Sequence, residues 1–245
     1  MSSRPKPEKP KWLHRGRLRD VVVVVCVVSA FVFPVSTITL CVALALLATG
    51  CSLHLLAKGQ LIRNVSLCTE GAYAFVRHPY YLANYLIDAS FCLLSGNVYL
   101  LLSYPFLFFW AYGSTLREEE ARLASLHADA FDAHRQTVPQ LFPEAASLPP
   151  LAALFRHFSC RRVSSGEIKR VLRFGFIGTL IALVQHVGVP GLQQIVAGRN
   201  PVHDGGVVLL ALSILFLLAS ASIPRRREKI NHPDGSRDED SRKSS

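Results

Sequence analysis

Apolar residues in this chain gather into runs about as long as a bilayer is thick, and polar residues fall between the runs rather than alternating with them. A helix rises about 1.5 Å per residue, so roughly 17–25 apolar residues cross the hydrocarbon core. Six stretches are candidates, in three pairs: 18–33 with 36–57, 80–95 with 98–116, and 171–189 with 206–223. The first and third are short and rely on flanking residues or a thinned bilayer. Helix breakers divide the first two pairs, at Phe33-Pro34 and at Ser95-Gly96-Asn97. A single helix over 21–56 would be about 54 Å long, well past the core thickness, so a hairpin is expected there. The pattern predicts an all-α, polytopic membrane helix bundle with about six transmembrane helices.

Beyond residue 116 the apolar spacing changes. Leu116, Leu123, Leu126 and Ala130 recur at helical intervals, which predicts an interfacial amphipathic helix over 115–134 with those positions used for packing. Residues 1–17 and 224–245 are rich in Lys, Arg, Pro and Ser and are expected to be disordered tails. Between them the chain divides into a core over 18–143, a cytoplasmic linker over 144–170 and an additional hairpin over 171–223.

Composition agrees with this class: of 245 residues, half are apolar and 18% charged. The net charge of +10 carries more information. With six spans, all of the 27 Lys and Arg except Arg199 fall on, or at the edge of, the side that holds both termini and segments 58–79 and 117–170. The positive-inside rule makes that side cytoplasmic. The charge is thus a topology signal first, and an attraction to anionic membrane lipids second. No basic stripe is interleaved with exposed aromatics on a soluble domain, so nucleic acid is not an expected partner. The six cysteines (26, 41, 51, 68, 92 and 160) have neither metal-ligand nor disulfide spacing, and no metal site is expected.

Two polar motifs flank the second hairpin. One is Gly71-Ala-Tyr73-Ala-Phe-Val-Arg77-His78-Pro79-Tyr80-Tyr81; the other is Glu118-Glu119-Glu120, closing at Val138-Pro139 and Phe142-Pro143. Charged groups at the ends of a membrane hairpin rarely serve packing, and they point to a polar ligand at the mouth of the bundle. Over about residues 58–143 this pattern resembles the isoprenylcysteine carboxyl methyltransferase family, and the wider set of membrane methyltransferases that includes phospholipid N-methyltransferases. Residues 144–245 lie outside the resemblance. It implies S-adenosylmethionine as methyl donor, held by the hairpin and its cytoplasmic flanks in place of a Rossmann domain. Carried over by position, cofactor contacts fall on Leu67, Cys68, Tyr73, Arg77, His78, Pro79, Tyr80, Tyr81 and Glu119.

Physical chemistry assigns roles within that set. Glu119, as an ionised acceptor, suits the ribose diol or the ammonium of the donor. Tyr73 or Tyr81 suits stacking or a cation–π contact with the sulfonium. Pro79 fits the first turn of the third span, whose positive end beside Arg77 suits the cofactor carboxylate. Each has a structural alternative. Glu118 and Arg122 stand at i,i+4 and fit a solvated helical face, while Tyr80 and Tyr81 fit a membrane aromatic belt. Asp88 falls inside a span, where a lone carboxylate costs at least about 2.5 kcal/mol. It is expected to face a cavity or a partner such as Asn84, and Asp88, Asn84 and Arg117 are the candidate substrate-binding residues.

The resemblance implies methyl transfer to the C-terminal carboxylate of a prenylated cysteine. That group has a reference pKa near about 3.5, is ionised at neutral pH and needs no general base, so no catalytic residue is assigned. The chain departs from the family pattern at several places. Thr115 stands where the family tends to have an arginine linked to substrate, Ala83 replaces a glycine, and His127-Ala128 replaces Phe-Gly. Phe131 and His134 occupy tyrosine positions. An alternative is N-methylation of a phospholipid or small amine, which would require a base such as His78, Glu118 or His134. A non-catalytic membrane scaffold is a further one. The resemblance places the protein in the endoplasmic reticulum membrane of a eukaryote, or the inner membrane of a bacterium. Its partners there would be a prenylated protein C-terminus and membrane lipids.

Overall fold

The computed structural model of the protein describes residues 15–61, 67–144, 149–189, 196 and 204–224. Among them are six α-helices and no strand: α1 (Arg15–Val32), α2 (Thr37–Gln60), α3 (Pro79–Leu94), α4 (Val98–Thr137), α5 (Ser165–Val187) and α6 (Asp204–Ser222). Most of the expected tails lie outside the described residues; α1 begins at Arg15, inside the predicted N-terminal tail.

Helix starts follow from the local chemistry. Ser36 Oγ accepts from Thr39 N at 3.1 Å and caps α2. Asn97 Oδ1 does the same for Leu100 N at 3.1 Å and caps α4, and Ser164 Oγ caps α5 through Glu167 N at 3.3 Å. Pro79 opens α3, where its missing N–H costs nothing. Both expected hairpin breaks are present. The second depends on Gly96, whose φ of +68° is a left-handed conformation, and a Cβ there would stand 2.8 Å from the Phe33 carbonyl oxygen. The tips of the two hairpins therefore touch, and Asn97 Nδ2 donates to Ser29 Oγ across them at 3.0 Å.

Among the described residues, three helices are long and apolar enough to cross a membrane: Thr37–Gln60, Ser165–Val187 and Gly205–Ser222. α3 has 16 residues, and α1 carries Arg17, Arg19 and Asp20 in its first turns. α4 differs from the expected span followed by a separate interfacial helix. It continues unbroken past residue 116 to a kink at Ala128, within Val98–Thr137, because no Gly or Pro interrupts the stretch from Ser114 to His127. Its one non-helical residue is Ala128, at φ 25° and ψ −105°. The expected linker gives up its last residues to α5. It holds 3-10 turns at Leu151–Phe155 and Cys160–Arg162, and α5 begins at Ser165 rather than 171.

α2 packs along α3 and α5 along α6, while α5 also touches α1, α2 and α3. The core between them is built on Phe91, Phe108, Ile87, Leu94 and Ile181, all fully buried. Asp88 sits in it, with partners other than Asn84. Arg19 Nη2 of α1 donates to Asp88 Oδ2 at 2.9 Å, and Arg19 Nε lies 2.8 Å from Oδ1. Tyr104 of α4 donates its hydroxyl to Oδ2 at 2.7 Å. Three helices thus share one buried carboxylate.

Candidate functional site

At the polar end of the bundle the site is assembled from the end of α2, the segment 67–78, the first turn of α3 and the outer half of α4. Gln60, the last residue of α2, ties these parts together. Its Oε1 accepts from Ala72 N at 2.9 Å, and its Nε2 donates to Leu154 O at 2.6 Å and Arg156 O at 3.0 Å. This closeness requires glycine at position 71, where φ is +66° and any Cβ would collide with the Gln60 amide.

The two sequence motifs meet through backbone and charge. Arg77 N donates to Pro139 O at 2.9 Å, and His78 N to Gln140 O at 3.1 Å, so the chain after α4 lies against the start of α3. The Arg77 guanidinium donates through Nε to Glu120 Oε1 at 3.0 Å, with Nη2 at 2.8 Å from the same oxygen. Its Nη1 reaches Val138 O at 2.7 Å and Arg135 O at 3.1 Å. His78 Nε2 lies 3.3 Å from Glu120 Oε1. Within the glutamate triplet, Glu120 therefore binds the motifs to each other and Glu119 faces the space between them. The electrostatics follow. Burial pushes the Glu120 carboxyl up, but hydrogen bonds from Arg77 and Gln140, with the nearby charges, more than offset this and hold it below its usual 4.5. Burial pushes His78 below its usual 6.5 despite the opposing pull of Glu119 and Glu120. It lowers His134 as well, helped by Arg77 and His78. Both imidazoles are neutral at pH 7.

Between these parts lies a cavity of about 380 Å³. Leu67, Cys68, Tyr73, Arg77, His78, Pro79, Tyr80, Tyr81 and Glu119, separated by up to 52 positions of sequence, all line it. Arg117, Asn84 and Asp88 do not. Arg117 is two residues from Glu119 on α4 and points to another face, and Asn84 and Asp88 lie farther along α3, with Asp88 already paired to Arg19. Further lining residues come from α2 and α4: Lys58, Leu61, Arg122, Leu123, Leu126, His127, Phe131 and His134. Leu123 and Leu126, expected to serve packing alone, form part of its wall. His127, Phe131 and His134 were marked by their departure from the family pattern, whereas Lys58 carried no signal in the sequence.

Tyr81 packs edge-on against His78 and Tyr112, with centroids 5.8 Å apart in each case. Lys58 Nζ stands 3.9 Å from the centre of the Tyr80 ring. His134 is 8% exposed, and its Nε2 makes no hydrogen bond among the described residues. The arrangement offers a carboxylate, cations, aromatic faces and an unpaired imidazole nitrogen to one ligand.

No family model matches the chain, and no solved structure matches it. It is similar to the protein-S-isoprenylcysteine O-methyltransferase of Schizosaccharomyces pombe, at 27% identity over 99 residues. The match takes in 40% of this chain and 42% of that protein, so the chain spans less than half the length of its relative. The likeness supports a methyltransferase, weakly, and the three long apolar helices fit a membrane protein.

Proposed function

We propose that the protein transfers a methyl group from S-adenosylmethionine to the C-terminal carboxylate of a prenylated cysteine, at the cytoplasmic face of a membrane. The observation that carries this reading is that one cavity gathers all nine residues selected by the motif resemblance. The residues present fit the donor. Glu119 would take the ribose diol or the ammonium, and Tyr73 or Tyr81 the sulfonium. The buried, unpaired His134 Nε2 would take a hydrogen bond from a polar edge of the ligand. Bound there, S-adenosylmethionine would supply an electrophilic methyl group.

The chain's own work is to bind, orient and exclude water. A carboxylate acceptor arrives ionised, so the protein has no proton to remove. It needs a cation to hold it. Arg77 is committed to Glu120 and two carbonyls, and Lys58 to Glu167 at 3.6 Å. Arg122 is, among the described residues, the cation of the cavity wall without an ion-pair partner, and it takes the role that Thr115 does not fill. In this reading a prenyl chain enters sideways from lipid while the donor enters from the cytoplasm. The membrane would be the endoplasmic reticulum in a eukaryote and the inner membrane in a bacterium.

The unpaired, neutral His134 also favours a second reading, N-methylation of a phospholipid or similar amphiphile, because an ammonium acceptor must first lose a proton to a base. One experiment separates the two. Purified protein in detergent is given radiolabelled S-adenosylmethionine with N-acetyl-S-farnesylcysteine or phosphatidylethanolamine, beside Glu119→Ala and His78→Ala. Base-labile label on farnesylcysteine, absent in both variants, is the expected result. Label on the lipid would move the function to N-methylation, and failure of the wild type to bind or transfer would remove the methyltransferase reading.

A further inference from the structure

The hairpin α5–α6 lies outside the resemblance, yet side chains of the first turns of α5 reach residues of the cavity wall. Glu167, in the first turn of α5, is mostly buried, and its Oε2 lies 2.9 Å from Nε2 of the fully buried His54 in α2. The same oxygen accepts from Arg170 Nη1 at 3.0 Å, and Oε1 lies 3.6 Å from Lys58 Nζ. Arg170 Nη1 also donates to the Tyr80 hydroxyl at 2.8 Å, while the Tyr80 ring stands under the Lys58 ammonium and against the His54 ring at 4.7 Å. Glu167 does not line the cavity, but Lys58 and Tyr80 do.

This arrangement meets an electrostatic need. S-Adenosylmethionine has one net positive charge at neutral pH, from a sulfonium and an ammonium against one carboxylate. A lysine in the wall of its site would repel it unless that charge were offset, as the acceptor carboxylate offsets Arg122 in the reading above. Two long cationic side chains, Lys58 and Arg170, converge on the Tyr80 ring, and without a carboxylate between them they would also repel each other. One shared glutamate sets a negative charge between the two cations, which reduces both repulsions, and fixes a flexible lysine stem before ligand arrives.

We propose that Glu167 is a positioning residue through which the additional hairpin neutralises and holds Lys58, so that the cavity accepts a cationic donor. The proposal rests on the donor reading above and gives the hairpin a role in the site. It predicts charge-selective damage. Equilibrium binding of labelled S-adenosylmethionine and of S-adenosylhomocysteine, which lacks the sulfonium and has no net charge, is measured on full-length wild type, Glu167→Gln, Glu167→Gln/Lys58→Met and Ser213→Ala. The last removes a hydrogen bond between α6 and Thr179 of α5, away from the cavity.

Glu167→Gln should weaken S-adenosylmethionine binding about tenfold, the effect of one lost ion pair in a half-buried site, and weaken S-adenosylhomocysteine much less. Adding Lys58→Met should restore most of the loss, and Ser213→Ala should bind both ligands as wild type does. The proposal is overturned if Glu167→Gln leaves donor binding intact, weakens the two ligands in parallel, or gains nothing from Lys58→Met. Wild type that binds neither ligand would instead defeat the methyltransferase reading on which it stands.

Discussion

The pairing of Asp88 with Arg19 and Tyr104 makes a quantitative prediction about stability. The side chain of Asp88 is 4% exposed and that of Arg19 19%, so the ion pair is largely withdrawn from solvent. Asp88→Ala leaves a guanidinium without its counter-charge and a tyrosine hydroxyl without its acceptor. Breaking a buried pair from one side costs about 3–5 kcal/mol. The partial exposure of Arg19 selects the lower end, about 3 kcal/mol or roughly a hundredfold in the folding equilibrium. Tyr104→Phe removes one hydrogen bond to a charged group and should cost about 1.5 kcal/mol. The double variant Arg19→Met/Asp88→Leu removes both charges and should be more stable than Asp88→Ala alone, since apolar replacements of a buried pair are often neutral. The assay is reversible unfolding in mixed micelles, following helicity against denaturing detergent. If Asp88→Ala lies within about 1 kcal/mol of wild type, or the costs of Arg19→Met and Asp88→Leu, each measured alone, simply add in the double variant, the buried pair does not hold these helices together.

Three further outcomes are expected. Arg77→Ala frees Glu120 and the carbonyls of Arg135 and Val138; it should cost about 3 kcal/mol by the same unfolding assay and weaken donor binding more than tenfold, and Arg77→Lys should recover little, because an ammonium does not span three acceptors. Gly71→Ala should lower stability by about 1–2 kcal/mol from left-handed strain alone, with more from its collision with Gln60, and should reduce donor binding as Gln60 shifts. His78 and His134 are held below their usual 6.5, and Glu120 below its usual 4.5. A depressed pKa contributes stability that is complete above the ordinary value and lost as pH falls through the folded one. Thermal midpoints should therefore be flat from about pH 7 to 8 and fall below about pH 6.5, more steeply still in the acid range of Glu120; a midpoint that rises on acidification would contradict the buried neutral imidazoles.

Local chemistry in the sequence carries the helix boundaries well. Phe33-Pro34 and Ser95-Gly96-Asn97 do break the chain where expected, because proline and left-handed glycine impose their geometry whatever surrounds them. The continuity of α4 was less legible: the change from apolar to amphipathic pattern at residue 116 marks a change of solvent, and nothing there stops the helix. Seven of the nine expected cavity residues were traceable because they lie in two short motifs, with Leu67 and Cys68 just ahead of the first. Their long-range supports were not. Arg19 looked like one more cytoplasmic charge until the fold set it against Asp88, 69 residues away, and Glu167 lies 113 residues from His54. Glu119 and Glu120 are neighbours with the same chemistry, and only the pitch of α4 separates the one that faces the cavity from the one that holds Arg77.

The central claim is that this cavity holds S-adenosylmethionine through the residues of both motifs. Its most direct test is equilibrium binding of the labelled donor to purified wild type and Glu119→Ala, with Ser213→Ala as a control outside the cavity. The account predicts saturable binding by wild type and Ser213→Ala, and its loss in Glu119→Ala. Binding that is absent from wild type, or unchanged by Glu119→Ala, would contradict it.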